Sequence, residues 1–196
     1  MNKKKLSEVA AVIRRGWKLQ TFLAVVIISG LVWRICTGFS KTTMKSDLAE
    51  FIGSEIVFPE EFGISTSDSS ECEGRIVVYY DTATCATCQM KRIDEWKYLF
   101  SDIGDTPITP VFIFSPRDDD RLRYEEELDR AKLPYQVISD YGRLFMKANA
   151  HLPSLRTLHV FLLDRDNTVV LAGNPMHNNL LWETYCMYMK ALTSGG

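Results

Sequence analysis

A chain of 196 residues with 46% hydrophobic and 24% charged residues has the composition of a folded protein, and its length indicates one domain plus an appendage. Seven of the 23 Lys and Arg residues lie in the first 36 positions, which leaves 16 basic against 24 acidic residues, a net charge of −8, for residues 37–196. Interspersed charges with an acidic balance argue against nucleic acid as a partner. Five cysteines in a chain of this length do not indicate a disulfide scaffold.

The N-terminal segment has the charge pattern of a membrane anchor. Residues 1–18 carry six basic residues and one acid, and the next 15 residues, Leu19 to Trp33, carry no charge. A basic segment followed by an apolar one predicts a single-pass helix whose N-terminus is cytoplasmic. Fifteen residues are short for the ~20 of a usual span, but Trp17 and Trp33 are placed to lie at the two membrane interfaces.

This pattern divides the chain into four parts. We predict a basic cytoplasmic segment at 1–18, a transmembrane anchor at 19–33, a tether at 34–45 and an extracytoplasmic domain at 46–196. A cleaved secretory signal is the alternative, although no small-residue cleavage site follows the apolar stretch.

From residue 75 onward, apolar strands alternate with amphipathic helices. The predicted elements are a strand at 75–80, a helix at 88–101, a strand at 108–114, a helix at 118–132, a strand at 135–139 and a short helix at 141–149. Strand, helix and strand in this order imply parallel neighbours joined by crossovers. The charged run Arg117 to Arg123 is interpreted as the solvated start of the second helix.

Near the end of the chain, two predicted strands are joined by a short turn and not by a helix. Two strands, at 157–163 and 168–172, are separated by Asp164-Arg-Asp-Asn167, which is typical of a hairpin turn. A helix at 179–192 follows. The sequence therefore predicts an α/β fold with a mixed sheet that begins parallel, ends in an antiparallel hairpin and is covered by helices on both faces.

Four residues, Cys85-Ala86-Thr87-Cys88, stand where the first predicted strand gives way to the first helix. Unpaired backbone N–H groups at the start of a helix stabilise a thiolate, and two intervening residues allow the thiols to form a disulfide. This placement favours a redox-active dithiol. From the residues alone, half of a zinc site and an inactive pair remain as alternatives.

With the CxxC pair between the first strand and helix and a closing hairpin, the chain resembles the thioredoxin-like superfamily, in particular its membrane-anchored TlpA/ResA branch. The resemblance covers residues 46–192. It implies a three-layer fold, a central mixed sheet with helices on both faces, behind an N-terminal transmembrane helix. It also implies a single-pass protein of the bacterial inner membrane with its main domain in the periplasm.

The same resemblance implies the activity of a thiol-disulfide oxidoreductase. Cys85 and Cys88 would be the catalytic residues, and their disulfide would be the only redox group, with no further cofactor. The expected partners are cysteine-containing envelope proteins, and a membrane reductase would supply electrons if the protein acts as a reductant.

Several positions depart from the thioredoxin pattern. Tyr79 replaces the buried acid that thioredoxins carry six residues before the first cysteine, so Asp81 becomes the candidate base acting through water, or else a solvated acid at a strand end. The cis-proline that such folds place opposite the dithiol falls on Thr157 or Leu158, while Pro153 comes several residues earlier.

Loss of that proline would leave Cys85 more open to metal ions. The first alternative is therefore a Sco-like copper-binding protein or metallochaperone in which Cys85, Cys88 and His159 hold copper, since thiolate and imidazole are ligands that copper(I) selects. Two points count against it: Sco-type pairs have three residues between their cysteines, and His159 falls inside a predicted apolar strand. The second alternative is a non-catalytic binding module with a thioredoxin fold.

Overall fold

The computed structural model describes residues 44–64, 72–101, 103–104, 106–131 and 133–194. The described residues from Asp47 onward belong to one unit of the chain. The predicted basic segment, the anchor at 19–33 and most of the tether lie outside the described residues. Within the described ranges, no helix is long and apolar enough to cross a membrane.

The described residues form five strands and six helices, together with two 3-10 turns at Glu60–Phe62 and Arg156–Leu158. The strands are β1 (Gly74–Tyr80), β2 (Ile108–Phe114), β3 (Gln136–Ser139), β4 (Val160–Asp164) and β5 (Val169–Ala172). The helices are α1 (44–51), α2 (Ala86–Lys91), α3 (Glu95–Phe100), α4 (Arg121–Ala131), α5 (Leu144–Ala148) and α6 (Asn179–Ser194).

The five strands form one mixed sheet in the order β3-β2-β1-β4-β5. β1, β2 and β3 run parallel, and β4 is antiparallel to both β1 and β5. The predicted parallel start and closing hairpin are therefore confirmed. At the hairpin turn, the Asp164 carboxylate accepts the N–H groups of Asp166 and Thr168, and Asn167 has a left-handed φ of 60°.

Alternate side chains of β1 enter two separate cores, as the period of two along a strand requires. Ile76 and Val78 face a core covered by α2, α3, α4 and α6. Val77 and Tyr79 face a second core covered by α1 and α5. Because both faces of the sheet carry helices, the predicted three-layer arrangement is confirmed.

The single helix predicted at 88–101 is wrong, because a turn at residues 92–94 divides it into α2 and α3. In this turn the N–H groups of Arg92, Ile93 and Trp96 donate to carbonyls three residues earlier, at 3.0–3.2 Å. Such 3-10 bonding gives three residues per turn. It keeps Met90, Ile93 and Trp96 on one face, and all three are buried.

The strand predicted at 157–163 begins three residues late, at Val160. Residues Arg156–Leu158 form a 3-10 turn instead, and the N–H groups of Leu158 and His159 donate to carbonyls three residues earlier. Among the described residues no peptide bond is cis. Thr157, Leu158 and His159 therefore lie before the strand and not within it.

Candidate functional site

The CxxC segment lies at the carboxyl end of β1, where α2 begins. Cys85 is the N-cap of α2, and its Sγ accepts the N–H of Cys88 at 3.2 Å. The two sulfurs form a disulfide, with Cα atoms 5.2 Å apart. Both cysteines are exposed. A second disulfide or dithiol can therefore reach the pair from solvent.

The two residues between the cysteines are buried, at 1% exposure for Ala86 and 8% for Thr87. The Thr87 hydroxyl donates to Asp120 Oδ1 at 2.8 Å, and its backbone N–H donates to Asp120 Oδ2 at 3.2 Å. Asp120 immediately precedes α4, which packs on α2. Asp120 is thus bound to the CxxC segment, which corrects its interpretation as part of a solvated charged run.

The candidate base Asp81 holds the loop that leads to Cys85. One carboxylate oxygen accepts the N–H of Ala83 at 3.1 Å and the hydroxyl of Thr84 at 2.9 Å. The other accepts Nε–H of Arg156 at 3.1 Å. These bonds give Asp81 a positioning role in the loop, whereas its role as a base stays a prediction.

The two residues predicted to face the dithiol from the loop before β4 lie in different environments. Leu158 is only 2% exposed, so its side chain is buried. Thr157 lines the cleft beside the CxxC loop, and its carbonyl accepts the N–H of Asn174 at 2.8 Å. Thr157 is therefore the accessible member of the predicted pair.

His159 is buried immediately before β4, and its ring faces the second core. Its Nε2–H donates to the Pro153 carbonyl at 2.8 Å, and its ring lies 5.3 Å from that of Tyr79. Burial lowers the pKa of His159, with the Pro153 hydrogen bond acting in the opposite sense. The other nitrogen, Nδ1, is buried with no hydrogen-bond partner among the described residues.

The predicted copper ligands are not brought together. Cys85 and Cys88 are exposed at the start of α2, whereas His159 is bonded to Pro153 inside the core. In the described part of the chain, no three His, Cys, Asp or Glu side chains are grouped so that they could hold a metal ion. The free Cys72 lies before the opposite end of β1, where its thiol donates to the Gly74 carbonyl at 3.1 Å.

An open cleft of about 480 Å³ lies beside the CxxC loop. Tyr80 and Trp96 form part of its wall, and the indole N–H donates to the Tyr80 hydroxyl at 3.2 Å. Burial raises the pKa of Tyr80 to about 12, so this hydroxyl is protonated at neutral pH. Met176 adds apolar surface, while Arg92, paired with Glu95, and Arg156, paired with Asp81, add charged groups.

The strand order and the position of the disulfide decide the fold class. The CxxC pair follows the central strand β1, which lies between parallel β2 and antiparallel β4, and β4, β5 and α6 complete the domain. The domain has a thioredoxin-like fold. In this thioredoxin-like domain, β3 extends the sheet beyond β2 as a further parallel strand.

No protein-family model matches the chain, and no curated protein matches it either. Similar solved structures include a thioredoxin-like protein from Porphyromonas gingivalis, with 16% identity, a TM-score of 0.43, and coverage of 65% of this chain and 80% of that one. A thioredoxin-like protein from Bacteroides caccae has 12% identity and a TM-score of 0.40, over 72% of this chain and 50% of that one.

A domain of a possible thiol-disulfide isomerase from Cytophaga hutchinsonii is also similar. It has 15% identity and a TM-score of 0.38, over 63% of this chain and 80% of that one. At these identities and TM-scores, the likenesses add nothing to what the strand order and the disulfide show.

Proposed function

We propose that this protein is a thiol-disulfide oxidoreductase that exchanges disulfides with client proteins of the bacterial cell envelope. The observation that carries the proposal is the exposed Cys85–Cys88 disulfide at the start of α2, beside an open cleft. Disulfide exchange needs a thiolate with solvent access and a second thiol within bonding reach, and the exposure of Cys85 and its bond to Cys88 support both.

The reaction starts from the reduced pair. The Cys85 thiolate attacks a client disulfide, an S–S bond forms between Cys85 and the client, and the leaving client sulfur takes up a proton. The Cys88 thiolate then attacks Cys85, which releases the second client sulfur and forms the Cys85–Cys88 disulfide. Two electrons pass to the client, and a dithiol donor returns the pair to its reduced state.

Cys85 is the attacking residue in this proposal. Its sulfur accepts the N–H of Cys88, and the same hydrogen bond would stabilise a thiolate at Cys85. Cys88 follows one turn later and is placed to displace the client from Cys85.

The envelope location rests on the sequence pattern. The basic residues 1–18 and the uncharged residues 19–33 support a membrane anchor with the domain outside the cytoplasm. A thiol reagent that cannot cross the inner membrane should label reduced Cys85 in cells whose outer membrane has been permeabilised. Labelling only after lysis would contradict this location.

Trapping tests the activity. The full-length Cys88→Ala protein should form a mixed disulfide with client proteins through Cys85, because the second thiol that would release the client is missing. The Cys85→Ala and the double Cys85→Ala/Cys88→Ala proteins are the matched controls and should not accumulate such adducts. If Cys88→Ala forms no more adduct than the double variant, the proposed activity is wrong.

A further inference from the structure

Asp120 makes both of its hydrogen bonds within the site to one residue, and that residue lies between the two cysteines. Its carboxylate accepts the hydroxyl and the backbone N–H of Thr87, at 2.8 and 3.2 Å. Thr87 is only 8% exposed, whereas Asp120 is partly exposed, so these bonds are partly buried. A negative group is therefore held against the CxxC segment from a neighbouring element.

This contact acts against a thiolate at Cys85 in two ways. A nearby like charge disfavours the charged form of a titrating group. The N–H of Thr87 is also committed to the carboxylate, while the N–H of Cys88 points to the Cys85 sulfur. One of the donors at the start of α2 is thus withdrawn from any thiolate formed there.

The charged side chains of the loop before Cys85, of α2 and of its C-terminal end are paired with partners of opposite sign. The pairs are Asp81 with Arg156 at 3.1 Å, Arg92 with Glu95 at 2.8 Å and Lys91 with Glu127 at 3.4 Å. His177 lines the neighbouring cleft. Asp120, in contrast, is bonded to the uncharged donors of Thr87. Its negative charge is therefore not balanced by a cation in these contacts and can act on the dithiol.

We propose that Asp120 is a positioning residue that disfavours the Cys85 thiolate and thereby poises the Cys85–Cys88 pair as a reductant. The inference rests on the proposed function, because it assigns that function a direction. Stabilisation of a thiolate lowers the free energy of the reduced CxxC pair relative to its disulfide. Where the thiolate is disfavoured, the disulfide is the more stable form, and the dithiol therefore gives up electrons readily. In the reaction above, the client disulfide is reduced and the pair is oxidised.

The test compares the full-length protein with its Asp120→Asn variant. The rate of Cys85 alkylation in the reduced proteins is measured as a function of pH. Peptide mass spectrometry distinguishes Cys85 from the other cysteines. We expect the inflection of the alkylation profile to lie lower by about one pH unit in the variant, since a carboxylate bonded to a residue of the CxxC segment acts with this order of strength near a protein surface.

The equilibrium with glutathione gives a second readout. At pH 9, above both expected inflections, the Asp120→Asn pair should be up to about tenfold easier to reduce, which is about 30 mV for a two-electron couple. Asp120→Glu keeps the charge and should retain the wild-type inflection. Asp119→Asn is the matched control, because Asp119 lies in the same turn but is 74% exposed and pairs with Arg117.

The outcomes separate a charge effect from a merely structural one. If Asp120→Asn melts at a lower temperature but keeps the wild-type inflection and equilibrium, the inference is overturned. If Asp120→Asn does not fold, Asp120→Ser supplies a neutral oxygen at the same place and should show the same downward shift. An unchanged inflection in that variant also overturns the inference.

Failure of this inference is distinguishable from failure of the proposed function. The alkylation profile uses a small reagent and needs no client, whereas mixed-disulfide trapping with Cys88→Ala reports on exchange alone. A normal trapping result with no Asp120→Asn shift contradicts the inference only. A clear shift with no trapping contradicts the exchange activity, and with it the assigned direction.

Discussion

Arg156 donates its Nε–H to the carboxylate of Asp81 at 3.1 Å and so connects the loop before β4 to the loop that carries Cys85. The same carboxylate holds Ala83 and Thr84 within its own loop. Asp81 is mostly buried at 16% side-chain exposure, whereas Arg156 is 57% exposed. Asp81 is therefore held in place by several bonds, whereas Arg156 is largely in solvent. We expect the two residues to contribute unequally to stability.

Asp81→Ala should lower the free energy of unfolding by about 1–2 kcal/mol, because a backbone N–H and a hydroxyl lose their acceptor. Arg156→Gln should cost less than about 1 kcal/mol, as is usual for an exposed ion pair. Urea unfolding of both variants measures the difference. An equal loss for the two would show that the ion pair, and not the loop bonds, is the main contribution of Asp81.

His159 should make stability depend on pH between about 6.5 and the acid range. Burial lowers its folded-state pKa, so the unfolded chain binds the proton first as the pH falls. The stabilisation is fully present above the unfolded pKa of about 6.5 and is lost as the pH falls towards the folded pKa, at up to about 1.4 kcal/mol per pH unit.

The neighbouring charges modify this pH dependence without reversing it. Asp81 acts to raise the pKa of His159 and Arg156 acts to lower it. In His159→Gln, an amide can still donate to the Pro153 carbonyl but does not titrate. The difference in unfolding free energy between wild type and variant should therefore change from pH 7 to pH 5, in favour of the variant. A constant difference would contradict a neutral, buried His159.

Tyr185 contributes a buried hydroxyl that joins β4 to the end of β5. The hydroxyl contacts the carbonyls of Val160 and Gly173 at 3.0 and 2.8 Å, and burial raises the pKa of Tyr185 far above its ordinary value. Tyr185→Phe should cost about 1–2 kcal/mol, since the Gly173 carbonyl loses the buried hydroxyl, whereas the Val160 carbonyl keeps the N–H of Gly173 at 2.8 Å. Tyr188→Phe, on the exposed side of α6, should leave the denaturation midpoint unchanged.

Gly74 is required by the close approach of β1 and β4. A Cβ at this position would lie 2.5 Å from the backbone carbonyl oxygen of Leu163, which cannot move without disturbing the sheet. Gly74→Ala should therefore destabilise the protein by roughly 2 kcal/mol. Gly142→Ala is the matched control, because its Cβ would meet only the side chain of Leu144, at 3.2 Å. Equal thermal shifts for both would contradict this explanation.

Much of the fold could be predicted because its signals are local. The apolar runs of β1 and β2, the hairpin turn at Asp164 to Asn167 and the amphipathic α6 each lie within a few consecutive residues. Every strand and helix predicted from residue 75 onward is found within three residues of its expected bounds, apart from the division into α2 and α3. That division depends on tertiary packing, which selects three-residue spacing so that Met90, Ile93 and Trp96 reach one core.

The location of His159 also required the tertiary structure. Its apolar neighbours favour a strand, but His159 ends the 3-10 turn before β4. Its carbonyl still accepts the N–H of Tyr79 at 2.9 Å, while its ring donates to the Pro153 carbonyl. The hydrophobic pattern of a sequence can predict a buried strand, but it does not predict the hydrogen bonds that end a turn. The predicted copper site depended on this one residue.

The placement of a CxxC pair after a buried strand and at the start of a helix could be read from the sequence, because strand periodicity, the helix start and cysteine spacing all lie within about 20 residues. The contacts that distant charged residues make with the segment around that pair required the folded chain. Asp120 contacts Thr87 across 33 positions and Arg156 contacts Asp81 across 75. Separations of this length leave no periodic signal, so these two contacts are visible only after the chain has folded.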